Sequence, residues 1–210
     1  MEYKTFVSIN IAVIGTGNMA QTYAMRYAHA GHQVFLAATS DHKNRGMDSL
    51  SSFDNIVSCS IENAAAIGDL IVIATLPKDV REVAYWLGDV RGKVIIDATP
   101  NLLSSGDEQV NTIGAIKAIT GSPHVIKVFS TRGYEQLLQP LFRTKGVQLI
   151  LSGDSKKAKE ITKILTRDLG VDSFFDLGGD ETIPLFDELT KCCRNLAEKM
   201  MPENRKLNMI

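Results

Sequence analysis

Cysteine and histidine are scarce in this 210-residue chain, at three and four residues respectively. Cys59, Cys192 and Cys193 cannot make the framework of a disulfide-stapled fold and fit a reducing compartment. The vicinal pair has no matching Cys or His cluster near it in sequence. It therefore reads as small residues on a helix, and no metal site is expected. Charge of one sign is missing too: 23 basic against 24 acidic residues give a formal net charge of −1. That excludes a broad attraction to nucleic acid or to an anionic membrane surface. The apolar stretch Phe6 to Ile14 is too short to cross a bilayer and ends in a glycine turn. With no targeting segment visible, a cytoplasmic protein is expected. Internal repeats, low-complexity tracts and long linkers are not found either.

What the chain does contain is an alternation. Short aliphatic runs recur as "IAVIG" (11–15), "QVFLAAT" (33–39), "LIVIAT" (70–75), "KVIIDAT" (93–99), "HVIKVFS" (124–130) and "VQLILSG" (147–153), with a weaker "NIVSCS" after the second. They are continuously apolar, which predicts strands covered on both faces. Between them, Ala20, Tyr23, Ala24 and Tyr27 share a helical face, as do Val80, Val83, Ala84 and Leu87, and Ala158, Ile161, Leu165 and Leu169. Strand–helix alternation predicts an α/β fold with a doubly wound, mostly parallel sheet, because parallel strands need a crossover. Residues 1–210 read as one Rossmann-type domain. One helix, at about 180–201, closes it with Phe186, Leu189, Cys193, Leu196 and Met200 on one face, and a polar tail, 202–210, follows.

Gly15, Gly17 and Ala20 spell G-x-G-x-x-A between the first strand and the first helix. Gly15 permits the tight turn, Gly17 lets a diphosphate approach the backbone, and Ala20 keeps helix and strand close. Unpaired N–H groups at the helix start attract the phosphates. Set in that context, the pattern predicts a bound dinucleotide. An NAD site carries a carboxylate about 20 residues on, at the tip of the second strand. Here the tip reads "ATSDHKNR". Thr39 and Ser40 can donate to a 2′-phosphate, and Lys43 and Arg45 can supply charge. NADP is therefore expected ahead of NAD.

The ligand cleft should lie outside the strand tips "ATLPK" (74–78), "DATPN" (97–101) and "FSTRGYE" (129–135). None of His29, His32, His42 and His124 falls where it could act as a base on a hydroxyl substrate. Lys127, Arg132 and Glu135 remain, each more often a surface charge. Only a closing helix is expected after the last strand. The acceptor site must then come from loop tips, that helix or a second subunit, and a homodimer is the base expectation. Such an open cleft suits a planar acceptor, for which stacking and distance matter more than acid–base help. Two alternatives stand beside this reading: reduction of a small imine or carbonyl across a dimer, and a non-catalytic NADP(H) sensor.

Over most of its length the chain resembles the F420-dependent NADP reductase family. The resemblance rests on "IAVIGTGNMA", "IVIATLPKDV", "VIIDATPNLL", "VIKVFST" and "LILSGDSKKAKEITKILTRDLG", the last being the most distinctive. It implies a single-domain Rossmann oxidoreductase passing hydride between NADPH and coenzyme F420, a deazaflavin, or a related flavin. Carried over by position, it implies that Gly15, Thr16, Gly17, Asn18 and Met19 hold the pyrophosphate. Thr39 and Ser40 would face the 2′-phosphate, and Thr75, Leu76 and Pro77 would flank the cofactor. Thr99, Pro100 and Asn101 would shape the next loop, with Phe129, Ser130 and Thr131 beside the nicotinamide. Thr39-Ser40 stands where the family has Ser-Arg, and "FST" where it has "FNT". The "GTGNMA" loop also resembles that of pyrroline-5-carboxylate reductases, whose long helical dimerisation region has no counterpart here.

Overall fold

The computed structural model describes residues 8–39, 50–99, 111–130, 148–169, 171 and 173–200. In chain order the strands are β1 (Asn10–Ile14), β2 (Gln33–Ala37), β3 (Ile56–Ser58), β4 (Leu70–Ile73), β5 (Val94–Asp97), β6 (Val125–Ser130), β7 (Gln148–Ser152) and β8 (Ser173–Asp176). The helices are α1 (Asn18–His29), α2 (Ile61–Ile67), α3 (Val80–Leu87), α4 (Thr112–Thr120), α5 (Lys156–Leu165) and α6 (Ile183–Met200). The strands form one sheet in the order β3-β2-β1-β4-β5-β6-β7-β8. It is parallel except between β6 and β7, where Lys127 opposes Ser152 and Phe129 opposes Ile150. The doubly wound, mostly parallel α/β architecture expected from the apolar runs is the one observed.

Continuous apolarity has the consequence it predicts. Along β1, Ile11 and Val13 enter one core with α1 and α5. Ala12 and Ile14 enter a second core with α2, α3, α4 and the first turn of α6. β1 is thus sandwiched, and a charge introduced at any of these positions would be buried without a partner. Local chemistry sets the helix ends. Ser60, Asn111 and Ser155 accept from the N–H groups of Asn63, Gly114 and Ala158 to open α2, α4 and α5. Gly121 closes α4 in the left-handed conformation, at φ 66°.

Two expectations need correction. After the last apolar run only helical segments are expected, yet β8 lies between α5 and α6 and pairs in parallel with β7. Its sequence, "SFFD", neither alternates nor runs apolar for long. As an edge strand it leaves Phe174 and Phe175 exposed, so it carries little burial signal. Lys127 was read as more often a surface charge, but it is buried in the middle of β6. The apolar runs also overshoot the strands: β2, β4 and β5 end at Ala37, Ile73 and Asp97, and the small residues after them turn away as tips.

The other titratable groups fill structural roles. His32 is buried; its Nδ1 accepts from the Ile9 N–H and its Nε2 lies 3.3 Å from Asp168 Oδ2. His29 stacks edge-on against Phe53, and His124 Nδ1 bonds Ser155 Oγ at the start of β6, away from the tips. Among the described residues no three His, Cys, Asp or Glu side chains gather to hold a metal ion, and no helix is long and apolar enough to cross a membrane. The three cysteines differ in setting. Cys59 is half-buried and burial raises its thiol pKa, whereas Cys192 is exposed on α6. A thiol reagent at neutral pH is expected to modify Cys192 before Cys59, as peptide mapping of a time course would show. Modification in the reverse order would contradict these settings.

Candidate functional site

β1 lies between β2 and β4, and the winding reverses between β1 and β4. A crevice therefore opens beyond the carboxyl ends of those two strands, which is where doubly wound sheets take their ligands. The glycine turn lies across it. Gly15 adopts φ +136°, donates its N–H to Ala37 O at 2.7 Å, and packs so tightly that an added Cβ would stand 2.3 Å from Ala74 O. That position needs glycine for the fold itself. Ala20, fully buried, is the next neighbour, 3.2 Å from the same virtual Cβ, so helix, turn and β4 tip close together there.

Gly17 is different. It is the N-cap of α1, with φ −68°, is exposed, and among the described residues has nothing within 4 Å of a virtual Cβ. Its conformation is open to any residue, so packing does not explain the glycine. What a side chain would fill is the space in front of the helix start. No side chain among the described residues caps α1, and its first turn holds no acidic group. The first-turn N–H groups and the positive end of the helix thus face an open mouth, the chemistry an anionic diphosphate needs. The residues present fit such a group.

The other expected positions surround this mouth in part. Thr16 presents its carbonyl to Gln21 Nε2 at 2.8 Å, which pins the turn. Asn18 is exposed and accepts from Thr22 Oγ1 through its carbonyl, while Met19 packs partly against the core. Thr39 follows the β2 tip, half-buried. At the β4 tip, Thr75 is half-buried and Leu76 exposed, and Pro77 opens a short 3-10 turn leading into α3. Thr99 lies beyond β5, and Phe129 and Ser130 end β6. All of these lie at carboxyl ends of neighbouring strands. Ser40, Lys43, Arg45, Pro100, Asn101 and Thr131 lie outside the described residues, as do Arg132 and Glu135.

Beneath the β5 tip is a cluster that sequence reasoning missed. Asp97, Lys127, Thr112 and Asp187 are each at most 4% exposed. Lys127 Nζ lies 3.2 Å from Asp97 Oδ2, 2.6 Å from Thr112 Oγ1 and 3.9 Å from Asp187 Oδ1. Thr112 Oγ1 also donates to Asp97 Oδ2, and Asp97 Oδ1 accepts the Thr99 N–H at 3.0 Å. One ammonium therefore ties β5, β6, α4 and α6 together directly below the tip. From the opposite face, burial first and the Asp97 charge second push the Tyr23 phenol far above its ordinary pKa, so it stays neutral. The signal in the sequence was small: an Asp closing an otherwise apolar strand and a Lys inside another.

The sheet order and the glycine turn after β1 together define a Rossmann-type α/β fold. Residues 10–101 match the model of a family described as NADP oxidoreductase, coenzyme F420-dependent. Comparison with curated proteins gives no match. Among solved structures, the fold resembles a protein from Arthrobacter sp. FB24 provisionally named an F420-dependent NADP reductase. The TM-score is 0.76 and the identity 21%, over 90% of this chain and 93% of that one. A hypothetical protein from Sinorhizobium meliloti matches at TM-score 0.65 and 21% identity, over 84% and 88% of the two chains. An imine reductase from Aspergillus terreus, solved with NADPH4 and dibenz[c,e]azepine, matches at TM-score 0.65 and 16% identity. It covers 92% of this chain but 64% of its own.

Proposed function

We propose that the protein is an NADP-dependent oxidoreductase that passes hydride between NADPH and a planar acceptor such as coenzyme F420 or a flavin. The observation that carries this reading is the Gly17 mouth: space left open by the described residues before an uncapped, acid-free helix start, at the switch point of a doubly wound sheet. The family matched by residues 10–101 supports both the nucleotide and the deazaflavin. Gly15, Thr16, Gly17, Asn18 and Met19 would hold the diphosphate. Thr39, Ser40, Lys43 and Arg45 would serve the 2′-phosphate. Thr75, Leu76, Pro77, Thr99, Pro100, Asn101, Phe129, Ser130 and Thr131 would line the path towards the nicotinamide. When bound, the nucleotide supplies a hydride donor; the chain supplies amide donors for its phosphates and a platform for its ring.

Imine reduction is the second reading, favoured by the fold shared with the Aspergillus enzyme. The match spans 64% of that chain, and under this reading a second copy of the present chain completes the substrate pocket. NADPH oxidation assayed against F420, FMN and small cyclic imines separates the readings. Turnover with F420 or flavin alone supports the first, turnover with imines alone replaces it with the second, and tight NADPH binding without turnover leaves a sensor.

Preference for the phosphorylated nucleotide has its own test. No carboxylate stands at the β2 tip through Thr39. Ser40→Asp is expected to weaken NADPH binding by roughly 1–3 kcal/mol while leaving NADH nearly unchanged, because it removes a donor and adds repulsion. Calorimetric titration with both nucleotides reads the difference. Equal losses would remove the basis for NADP over NAD.

A further inference from the structure

The buried cluster under β5 bears on the chemistry of a bound nicotinamide. Asp97 is the last residue of its strand, and its Oδ1 holds the N–H of Thr99, two residues further along the tip. Lys127 is its register partner on β6, and α6 delivers Asp187 to the same ammonium. Thr99 is itself buried, and its Oγ1 has no hydrogen-bond partner among the described residues. An unpaired buried hydroxyl is rare and marks a position that a further group can satisfy. So formal charges stand in a water-poor region immediately behind a strand tip that borders the ligand crevice.

We infer that Asp97, Asp187 and Lys127 set the preference of the protein for oxidised over reduced nucleotide through their field at the nicotinamide ring. This rests on the NADP reading of the crevice. The two redox forms differ at that ring: NADPH carries a neutral dihydropyridine, and loss of a hydride, with its two electrons, leaves a pyridinium of charge +1. Carboxylates below the tip favour the pyridinium and the ammonium opposes it. Burial keeps both effects from being screened by water and salt. Phosphates, ribose and adenine are common to the two forms, so binding energy at the Gly17 mouth cancels from their ratio.

The test is the ratio of Kd for NADP+ to Kd for NADPH, measured by calorimetry and nucleotide fluorescence in Asp97→Asn, Asp187→Asn and Lys127→Gln. Both Asn variants remove a negative charge with little change of shape. They are expected to raise the ratio by roughly threefold to tenfold, and Lys127→Gln to lower it by a similar factor. A purely structural role would weaken both forms together and leave the ratio near its original value. Lys127→Gln takes the ammonium from the buried Asp97 carboxylate, so it is measured at low temperature; if it does not fold, the two Asn variants carry the sign. An unchanged ratio, or shifts of one sign for the Asn variants and Lys127→Gln alike, overturns the inference. If the unaltered protein binds neither nucleotide, the NADP reading itself fails, which is a distinguishable result.

Discussion

Alanine at position 15 is expected to destabilise the protein by about 3 kcal/mol or more, whereas aspartate at position 17 leaves stability intact and weakens nucleotide binding by at least about 2 kcal/mol. The two glycines are two residues apart and belong to one turn, yet their surroundings predict opposite phenotypes. At Gly15 the backbone has φ +136°, where an L side chain is strained, and the methyl group would sit 2.3 Å from the carbonyl oxygen of Ala74. That oxygen belongs to the backbone after β4, so it cannot swing aside as a flexible side chain could. Relief requires the β1 and β4 tips to separate, and with them the bond from the Ala74 N–H to Ile14 O. At Gly17 the conformation is ordinary and the described residues leave the space open. Aspartate there is a favoured N-cap, and it would lie at the positive end of α1. It would also occupy the mouth and repel a diphosphate, with an expected loss of at least about 2 kcal/mol in affinity. Thermal or urea melts and NADPH titration on the two variants read both axes. If Gly17→Asp unfolds the protein, or binds NADPH normally, the mouth is not the phosphate site.

The same pair of glycines shows how much the sequence disclosed. Spacing alone distinguished a turn glycine from an approach glycine, because the roles follow from where the strand ends and the helix begins. Strands β1, β4, β5 and β6 were legible because burial on both faces forces an unbroken apolar run, and few other structures demand one. β8 was not, since an edge strand of four residues pairs on one side and tolerates exposed Phe175 and Asp176. Lys127 was misread for a general reason. A lysine within an apolar segment is normally explained by an exposed face, and its actual partners lie 30, 15 and 60 residues away, on β5, α4 and α6. No local pattern encodes a meeting of elements so far apart in the chain. Hence the part of the site built by one turn was readable, and the part built by convergence was not.

That convergence makes Lys127 the position with the second large effect. Lys127→Met is expected to destabilise the fold by about 3–5 kcal/mol, a large fraction of the stability of a domain of this kind. Methionine matches the aliphatic stem in volume, so packing is nearly conserved and the loss is electrostatic. Asp97 would keep the Thr99 N–H and the Thr112 hydroxyl, but no cation in this cluster would face it. Asp187 would lose the ammonium as well, and with it one tie between α6 and the sheet. The companion variant makes the explanation testable. When Asp97→Asn and Asp187→Asn are combined with Lys127→Met, the buried charges are removed together, and the deficit is expected to fall to about half or less of that of the single substitution. Urea denaturation of the four proteins (unaltered, single, paired Asn and triple) closes the cycle. Additive losses would mean that the ammonium contributes through packing alone. Recovery in the triple variant would establish that it holds the four elements through charge, which is the condition under which its field can also reach a ring seated over the β5 tip.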